Sequence, residues 1–246
     1  MTVPILYYHY IRVNPNARDQ AGFKLSVTPG NFTQQMALLR DEGAHTITMD
    51  TLMAALQGGL PLPSRSVVLT FDDGHDDFAT QAAAVLIADG LTATSFVVPG
   101  FLGRNSYMTT NQVQAVAAEG FTIGAHTMHH VDLVAQPASI ANLEIMESRQ
   151  VLRQLTGQPV LDFAYPYGAL DGAVQSMVDA AGFRDAVSTY YGFTQCLGQR
   201  FALRRVEVTG YDSLQACARK ATVPYRVPRA VTASPRTSGP TGSAGP

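Results

Sequence analysis

The chain has 246 residues, of which 46% are hydrophobic and 15% are charged, and its formal net charge is −2. This length allows one large domain or two small ones with a substantial core. The charge balance argues against a nucleic-acid-binding protein, and the two cysteines, Cys196 and Cys217, are too few for a disulfide scaffold. The longest uncharged apolar stretch, near residues 91–103, is too short and too rich in Thr, Gly and Pro to span a bilayer.

Short β-rich runs alternate with amphipathic helices along the chain. Helices are predicted to begin after Thr28, Thr110 and Asp171, which are typical helix-capping residues. Several apolar helical stretches end at a glycine, and a β-rich run follows within a few residues. The glycines concerned are at positions 43, 90, 120, 157 and 182. The predicted strands are 3–8, 45–48, 67–71, 93–98, 121–125, 160–164, 186–188 and 203–208.

The alternation of strands and helices predicts parallel βαβ units. Seven or eight such units in about 220 residues favour a distorted β/α barrel over an open, doubly wound sheet. No glycine-rich dinucleotide or phosphate loop follows any predicted strand, so nucleotide binding has no support.

The last 24 residues, 223–246, differ in composition from the rest of the chain. They contain five prolines, three glycines and three arginines, and no acidic residue. Such a segment cannot bury an apolar core, and we predict that it is a disordered tail. Residues 1–222 are then predicted to form a single folded domain.

Polar residues cluster directly after several of the predicted strands. In a parallel barrel these strand ends meet at one mouth, where active sites are built. The clusters follow strands 3–8, 67–71, 121–125 and 160–164, and their prominent members are His9, Asp72, Asp73, His126, His130 and Tyr167.

Two histidines and one carboxylate are a standard ligand set for catalytic Zn²⁺, with a fourth position left for water. The i, i+4 spacing of His126 and His130 predicts that both imidazoles lie on one face of a helical turn. Neighbouring residues of an extended segment point in different directions. We therefore expect one carboxylate of the Asp72-Asp73 pair to bind the metal and the other to act as a base.

These motifs resemble the polysaccharide deacetylases of carbohydrate esterase family four, which share the nodulation-deacetylase homology domain. The family's first motif, Thr-Phe-Asp-Asp-Gly, stands at 70–74, and its paired histidines are His126 and His130. Its third motif corresponds to Ala-Tyr-Pro-Tyr at 164–167. The resemblance covers about residues 1–210 and implies a distorted barrel of seven to eight strands.

The resemblance also implies a reaction and a role for each matched residue. Asp73, His126 and His130 would bind Zn²⁺, or Co²⁺ or Ni²⁺, which accept the same ligands. Asp72 would be the general base, and the backbone N–H of Tyr167 would help to form the oxyanion hole. The substrate would be an N-acetylated polysaccharide or oligosaccharide, from which the enzyme releases acetate.

The sequence departs from the family pattern in two places. Ala164 replaces the arginine of the third motif, and the chain contains no tryptophan for the fourth motif. The family's last motif, Leu-x-Leu-x-His, is missing from the C-terminal part, but Ile5–His9 resembles it. This arrangement is similar to the circularly permuted branch that deacetylates poly-N-acetylglucosamine. We therefore expect His9 to be the general acid and Arg205 to replace the missing arginine beside Asp72.

Two other functions fit parts of the same pattern. A related barrel amidohydrolase acting on a small cyclic amide would need a closed pocket and a lid, and a catalytically inactive sugar-binding module would have no need of a spare base. His75 and His129 flank the motifs and are interpreted as bystanders.

The first nine residues lack the pattern of a signal peptide, whereas the family usually acts outside the cytoplasm. The sequence therefore does not predict the cellular compartment. The oligomeric state is not predicted.

Overall fold

Ten β-strands and eight α-helices lie within residues 1–59 and 61–222, the part of the chain that the computed structural model describes. The strands are β1 (Ile5–Tyr8), β2 (Tyr10–Ile11), β3 (Ser26–Val27), β4 (His45–Thr46), β5 (Ser66–Phe71), β6 (Thr94–Val97), β7 (Thr122–Ala125), β8 (Asp162–Ala164), β9 (Asp185–Tyr191) and β10 (Leu203–Glu207). The helices are α1 (Gln20–Leu25), α2 (Pro29–Asp41), α3 (Met49–Leu56), α4 (Ala83–Ala88), α5 (Thr110–Ala118), α6 (Ala138–Thr156), α7 (Gly172–Ala180) and α8 (Leu214–Ala221). The predicted tail at 223–246 lies outside the described residues.

Seven of the strands close into a parallel barrel. Their order around the ring is β1-β10-β9-β8-β7-β6-β5, and β5 pairs again with β1. The short β4 pairs only with the start of β5, so it is attached to the ring without being part of it. The predicted β/α barrel is therefore confirmed, with seven strands in the closed ring.

Residues of the barrel strands alternate between its inside and the helices that surround it. All six residues of β5 are buried, as expected of a strand that is covered on both faces. Val67 and Leu69 belong to the large apolar cluster that includes helix residues, whereas Val68 packs with Ile5 and Phe96. Because this alternation has a period of two, Thr70 and then Asp72 follow Val68 on the inner side of the barrel.

The predicted helix starts agree with the structure to within one residue. Thr28 caps α2, with Pro29 as the first helical residue, and Asp171 caps α7. The helix α5 begins one residue earlier than predicted, because Thr109 and Gln112 form a reciprocal capping box. The helices α1, α3 and α8 were not predicted, and each has only six to eight residues.

Over the described part of the chain, no helix combines the length and the apolar character that crossing a bilayer requires.

Candidate metal and catalytic site

The residues predicted to form the site surround one cavity of about 290 Å³ at the C-terminal ends of the barrel strands. Its lining includes six of the seven predicted site residues: His9, Asp72, Asp73, His126, His130 and Tyr167. The seventh, Arg205, is not among the lining residues and is 1% exposed. The barrel thus brings together residues that are up to 196 positions apart in the sequence (205 minus 9).

Asp72 and Asp73 leave the end of β5 in different directions, as predicted. Asp72 is buried inside the barrel and pairs with Arg205. Asp73 has a positive φ of 72°, and its carboxylate faces the loop after β7, which carries the two predicted histidine ligands. One carboxylate therefore joins the histidines, and the other stands apart from them.

Asp73 Oδ1 lies 3.3 Å from His126 Nε2 and 3.2 Å from His130 Nε2. The three potential ligand atoms lie within 4.8 Å of one another. His126 Nδ1 is 2.8 Å from the carbonyl oxygen of Ala164, and because that oxygen can only accept, Nδ1 carries the proton. The lone pair of His126 Nε2 then points towards the carboxylate.

This arrangement fits a bound cation. Among the described residues, Asp73 Oδ1 is buried without a partner in hydrogen-bonding geometry, although two imidazole nitrogens approach it. A divalent metal between these atoms would satisfy all three, and the carbonyl bond to His126 is the outer contact typical of a metal-bound imidazole. Burial lowers the pKa of His126, but the hydrogen bond to Asp73 and the negative charges of Asp72 and Asp73 outweigh burial and raise it. A proton and a metal would therefore compete for the lone pair of His126 Nε2.

The predicted helical turn between the two histidines is wrong. Thr127 and His130 have φ values of 60° and 56°, and residues 127–129 form a turn outside any helix. Glu144 of α6 holds this turn, since its two carboxylate oxygens accept hydrogen bonds of 2.8 Å from the backbone N–H and Nδ1 of His129. His129 is thus part of the loop's support, although its sequence context did not indicate this.

Arg205 donates two hydrogen bonds to the carboxylate of Asp72, both of 2.7 Å. Its Nε donates to the carbonyl oxygen of Ser188 at 2.9 Å, and the guanidinium lies 4.3 Å from the centre of the Tyr7 ring. Burial alone would raise the pKa of Asp72, but the charge and hydrogen bonds of Arg205 outweigh it and lower the pKa. Asp72 is therefore an anion at neutral pH, and the expected contact between the two residues is present.

His9 and Tyr167 complete the rim of the cavity. His9 directly follows β1, and its Nδ1 is buried with no hydrogen-bond partner in the described structure. Burial lowers the pKa of His9 by more than the nearby Asp72 and Asp73 raise it. Tyr167 occupies a 3-10 turn, Pro166–Gly168, with a φ of 59°, and its hydroxyl is 3.2 Å from His130 Nδ1.

His75 is a site residue that the sequence interpretation missed. It is 1% exposed, and its Nε2 lies 3.2 Å from Asp73 Oδ2. Its position two residues after Asp73 was the available signal. Nothing in the local sequence indicates that the ring turns back towards the carboxylate.

The comparisons with known proteins agree with this geometry. The family model described as polysaccharide deacetylase matches residues 59–186, just over half of the chain. The Bacillus subtilis protein YxkH is 27% identical over 207 residues, which cover 84% of this chain and 71% of YxkH. The poly-beta-1,6-N-acetyl-D-glucosamine N-deacetylase of Escherichia coli is 37% identical over 75 residues, but these cover 30% of this chain and only 11% of that protein.

A solved structure is similar over almost the whole described chain. The Streptococcus pyogenes deacetylase PplD, in complex with acetate, superposes with a TM-score of 0.83 at 26% identity, covering 90% of this chain and 98% of PplD. The fold, the placement of the motifs at the barrel mouth and the family match lead to one assignment. The chain belongs to the polysaccharide deacetylase family, whose members are hydrolases that remove N-acetyl groups from polysaccharides.

Proposed function

We propose that this chain is a zinc-dependent N-deacetylase of poly-β-1,6-N-acetylglucosamine. The observation that carries this proposal is that the two neighbouring carboxylates have different partners. Asp73 is presented to two imidazole nitrogens, whereas Asp72 is held separately as an anion by Arg205. A sugar-binding module has no need of a second, independently held carboxylate beside a metal site.

Asp73, His126 and His130 are the residues that would hold the metal. Zn²⁺ suits this set of one carboxylate and two imidazoles, and Co²⁺ and Ni²⁺ accept it too. When bound, such a cation supplies Lewis acidity, which polarises the acetamide carbonyl and lowers the pKa of water to about 7.

Asp72 is the proposed general base. It lines the same cavity as the proposed ligands, and its ionised state makes it ready to accept a proton from the attacking water. Its two hydrogen bonds to Arg205 fix the plane of the carboxylate, so the carboxylate does not need to reorient when the proton arrives.

His9 is the proposed general acid, and Tyr167 supplies an oxyanion contact. Breaking the amide C–N bond produces acetate and an amine, which leaves readily only if its nitrogen receives a proton. Burial lowers the pKa of His9, so the protonated ring is a stronger acid than a solvent-exposed histidine. The 3-10 turn at Pro166–Gly168 would direct the backbone N–H of Tyr167 towards the oxygen on which negative charge develops.

Exposed aromatic side chains around the mouth favour a polymer over a small cyclic amide. Such rings offer flat apolar faces with polar tips, which suit sugar rings. Tyr211 follows β10, where its ring centroid is 4.8 Å from that of Phe23, and Phe23 lies in α1 close to Leu25, which lines the cavity. The side chains of Phe23, Tyr211 and Tyr167 are between 39% and 69% exposed. The β-1,6 linkage is favoured by the similarity to the E. coli enzyme and by the motif at Ile5–His9.

Acetate release from β-1,6- and β-1,4-linked N-acetylglucosamine oligomers would test the proposal. Metal-stripped protein should be inactive, and added Zn²⁺ should restore release, faster from the β-1,6 oligomers. Asp72→Asn should abolish release while zinc still binds, and His126→Gln should abolish zinc binding. His45→Gln, at an exposed position away from the cavity, controls for the loss of a histidine. Tight zinc binding without release from either oligomer would refute the proposed substrate and favour a small amide or a binding module.

A further inference from the structure

His75 contacts Asp73 on the side that the two proposed histidine ligands leave free. Asp73 Oδ1 faces His126 and His130, whereas Oδ2 lies 3.2 Å from His75 Nε2. The two oxygens of the Asp73 carboxylate therefore have different partners. One is aimed at the proposed metal position, and the other is aimed at a buried imidazole that does not belong to the ligand cluster.

The ring of His75 is held in a single orientation by its surroundings. Its Nδ1 is 3.1 Å from the carbonyl oxygen of Ser106. One face stacks on Tyr10, with ring centroids 3.7 Å apart and an interplanar angle of 22°, and Tyr107 lies at 4.8 Å. With 1% of its surface exposed, the ring has no room to turn, so its Nε2 is fixed relative to Asp73.

Both hydrogen-bond partners of this ring are acceptors. The carboxylate oxygen of Asp73 can only accept, so the contact at Nε2 is a hydrogen bond that His75 donates. A hydrogen bond to an ionised carboxylate is charge-assisted and stronger than a neutral one. The contact therefore restrains rotation of the Asp73 carboxylate.

We propose that His75 is a positioning residue for the metal ligand Asp73. By donating to Oδ2, it occupies that oxygen and leaves Oδ1 as the single oxygen presented between the two histidines. This inference rests on the proposed metal site. Outer contacts of this kind typically change metal affinity by about 10–100-fold when they are removed, and a loss of that size is the effect expected here.

Three substitutions separate the hydrogen bond to Asp73 from the contact with Ser106. In His75→Gln, the amide nitrogen reaches the position of Nε2 and can still donate to Asp73. In His75→Asn, the amide nitrogen reaches only the position of Nδ1 and can still donate to Ser106. His75→Leu retains a similar volume and has no donor. The readouts are zinc affinity, measured by competition with a chromogenic chelator, and thermal unfolding of the metal-free proteins.

We expect His75→Asn to bind zinc about 10–100-fold more weakly than the wild type, and His75→Gln to stay within about threefold of it. His75→Leu should bind zinc as weakly as His75→Asn. The comparison of His75→Asn with His75→Gln tests the inference even when the Leu variant does not fold. Equal affinities for the wild type, Asn and Gln proteins would overturn the inference. An equal loss of zinc affinity in His75→Asn and His75→Gln would also overturn it, because the loss would then result from changed packing and not from the missing hydrogen-bond donor.

A wild-type control distinguishes this inference from the proposed function. If the wild type binds zinc and Asp73→Asn abolishes binding, the metal site stands, and the His75 variants test the positioning role alone. If the wild type and Asp73→Asn bind zinc equally weakly, the proposed metal site is refuted and the inference falls with it.

Discussion

Arg205 reaches Asp72 across the strand that lies between them. β1 separates β10 from β5 in the barrel, and the guanidinium passes over Tyr7 of β1 to form two hydrogen bonds of 2.7 Å with the carboxylate. Ala164, at the position of the family's third-motif arginine, lies on β8. The positive charge beside the proposed base therefore comes from β10 in this chain, and not from the strand that carries the third motif.

Arg205→Lys should lower kcat and leave the metal in place. Lysine keeps the charge but cannot form the planar, two-pronged contact that holds the carboxylate. Since Arg205 contributes to lowering the pKa of Asp72, a weaker contact should raise that pKa. A base works only when ionised, so the acidic limb of the pH–kcat profile should move to higher pH. We expect kcat to fall about 10–100-fold near neutral pH.

The measurement is kcat against pH, together with zinc affinity. Arg204→Lys, on the exposed side of the same strand, is the matched control. An unchanged acidic limb in Arg205→Lys would show that Arg205 does not act through the base.

His9→Gln should reduce deacetylation without releasing the metal. The variant removes the proposed proton donor, and we expect kcat for the amide substrate to fall about 10²–10⁴-fold. Hydrolysis of an aryl acetate should fall much less, because an aryloxide leaves without a proton. Zinc affinity measured in parallel provides the check: a large loss of zinc would identify His9 as a ligand and not an acid.

Gly168→Ala should destabilise the protein and impair the proposed oxyanion contact. Gly168 has a φ of +68°, and a Cβ atom there would overlap Thr189 Oγ1. Strain and overlap together should cost about 2–4 kcal/mol of unfolding free energy, and displacement of the Tyr167 N–H should lower kcat about 10–100-fold. Denaturant unfolding and kcat measure the two effects.

Adding Thr189→Ala should restore only part of the lost stability, because the Cβ of residue 189 remains 2.8 Å from the new methyl group and the positive φ persists. Gly172→Ala has open space around it and should leave stability and kcat nearly unchanged. A Gly168→Ala protein with normal stability would contradict the described geometry of the turn.

Asp77 should make stability depend on pH in the metal-free protein. Burial raises its pKa to about 6, although the charge of His75 opposes this, whereas an unfolded Asp titrates near 3.9. The folded state thus favours the neutral form. Its stabilising contribution is complete below about pH 4 and is lost as the pH rises to about 6 and above. The difference of about two pKa units corresponds to about 3 kcal/mol.

Denaturant unfolding of the wild type and Asp77→Asn between pH 4 and 8 would measure this contribution. The variant cannot ionise, so its unfolding free energy relative to the wild type should increase by about 3 kcal/mol over this range. Asp76→Asn, one residue away, controls for the loss of a negative charge nearby. A constant difference between the wild type and Asp77→Asn would refute the assignment.

The sequence by itself determined the parallel β/α architecture and the identity of the main site residues. Strand and helix periodicity, capping residues and the motifs containing Asp72, Asp73, His126 and His130 are local features, and their physical causes act over a few residues. The structure confirms the barrel and brings these four residues together. The role of each one remains a proposal to be tested.

The tertiary structure decided how those residues are held. The pairing of Arg205 with Asp72 joins residues 133 positions apart, and the contact of His75 with Asp73 depends on packing against Tyr10 and on a carbonyl 31 residues further along the chain. The left-handed turn between His126 and His130 replaces the helical turn that their spacing suggested. Such features arise from closing the barrel and filling its interior, and no local pattern encodes which distant side chains then meet.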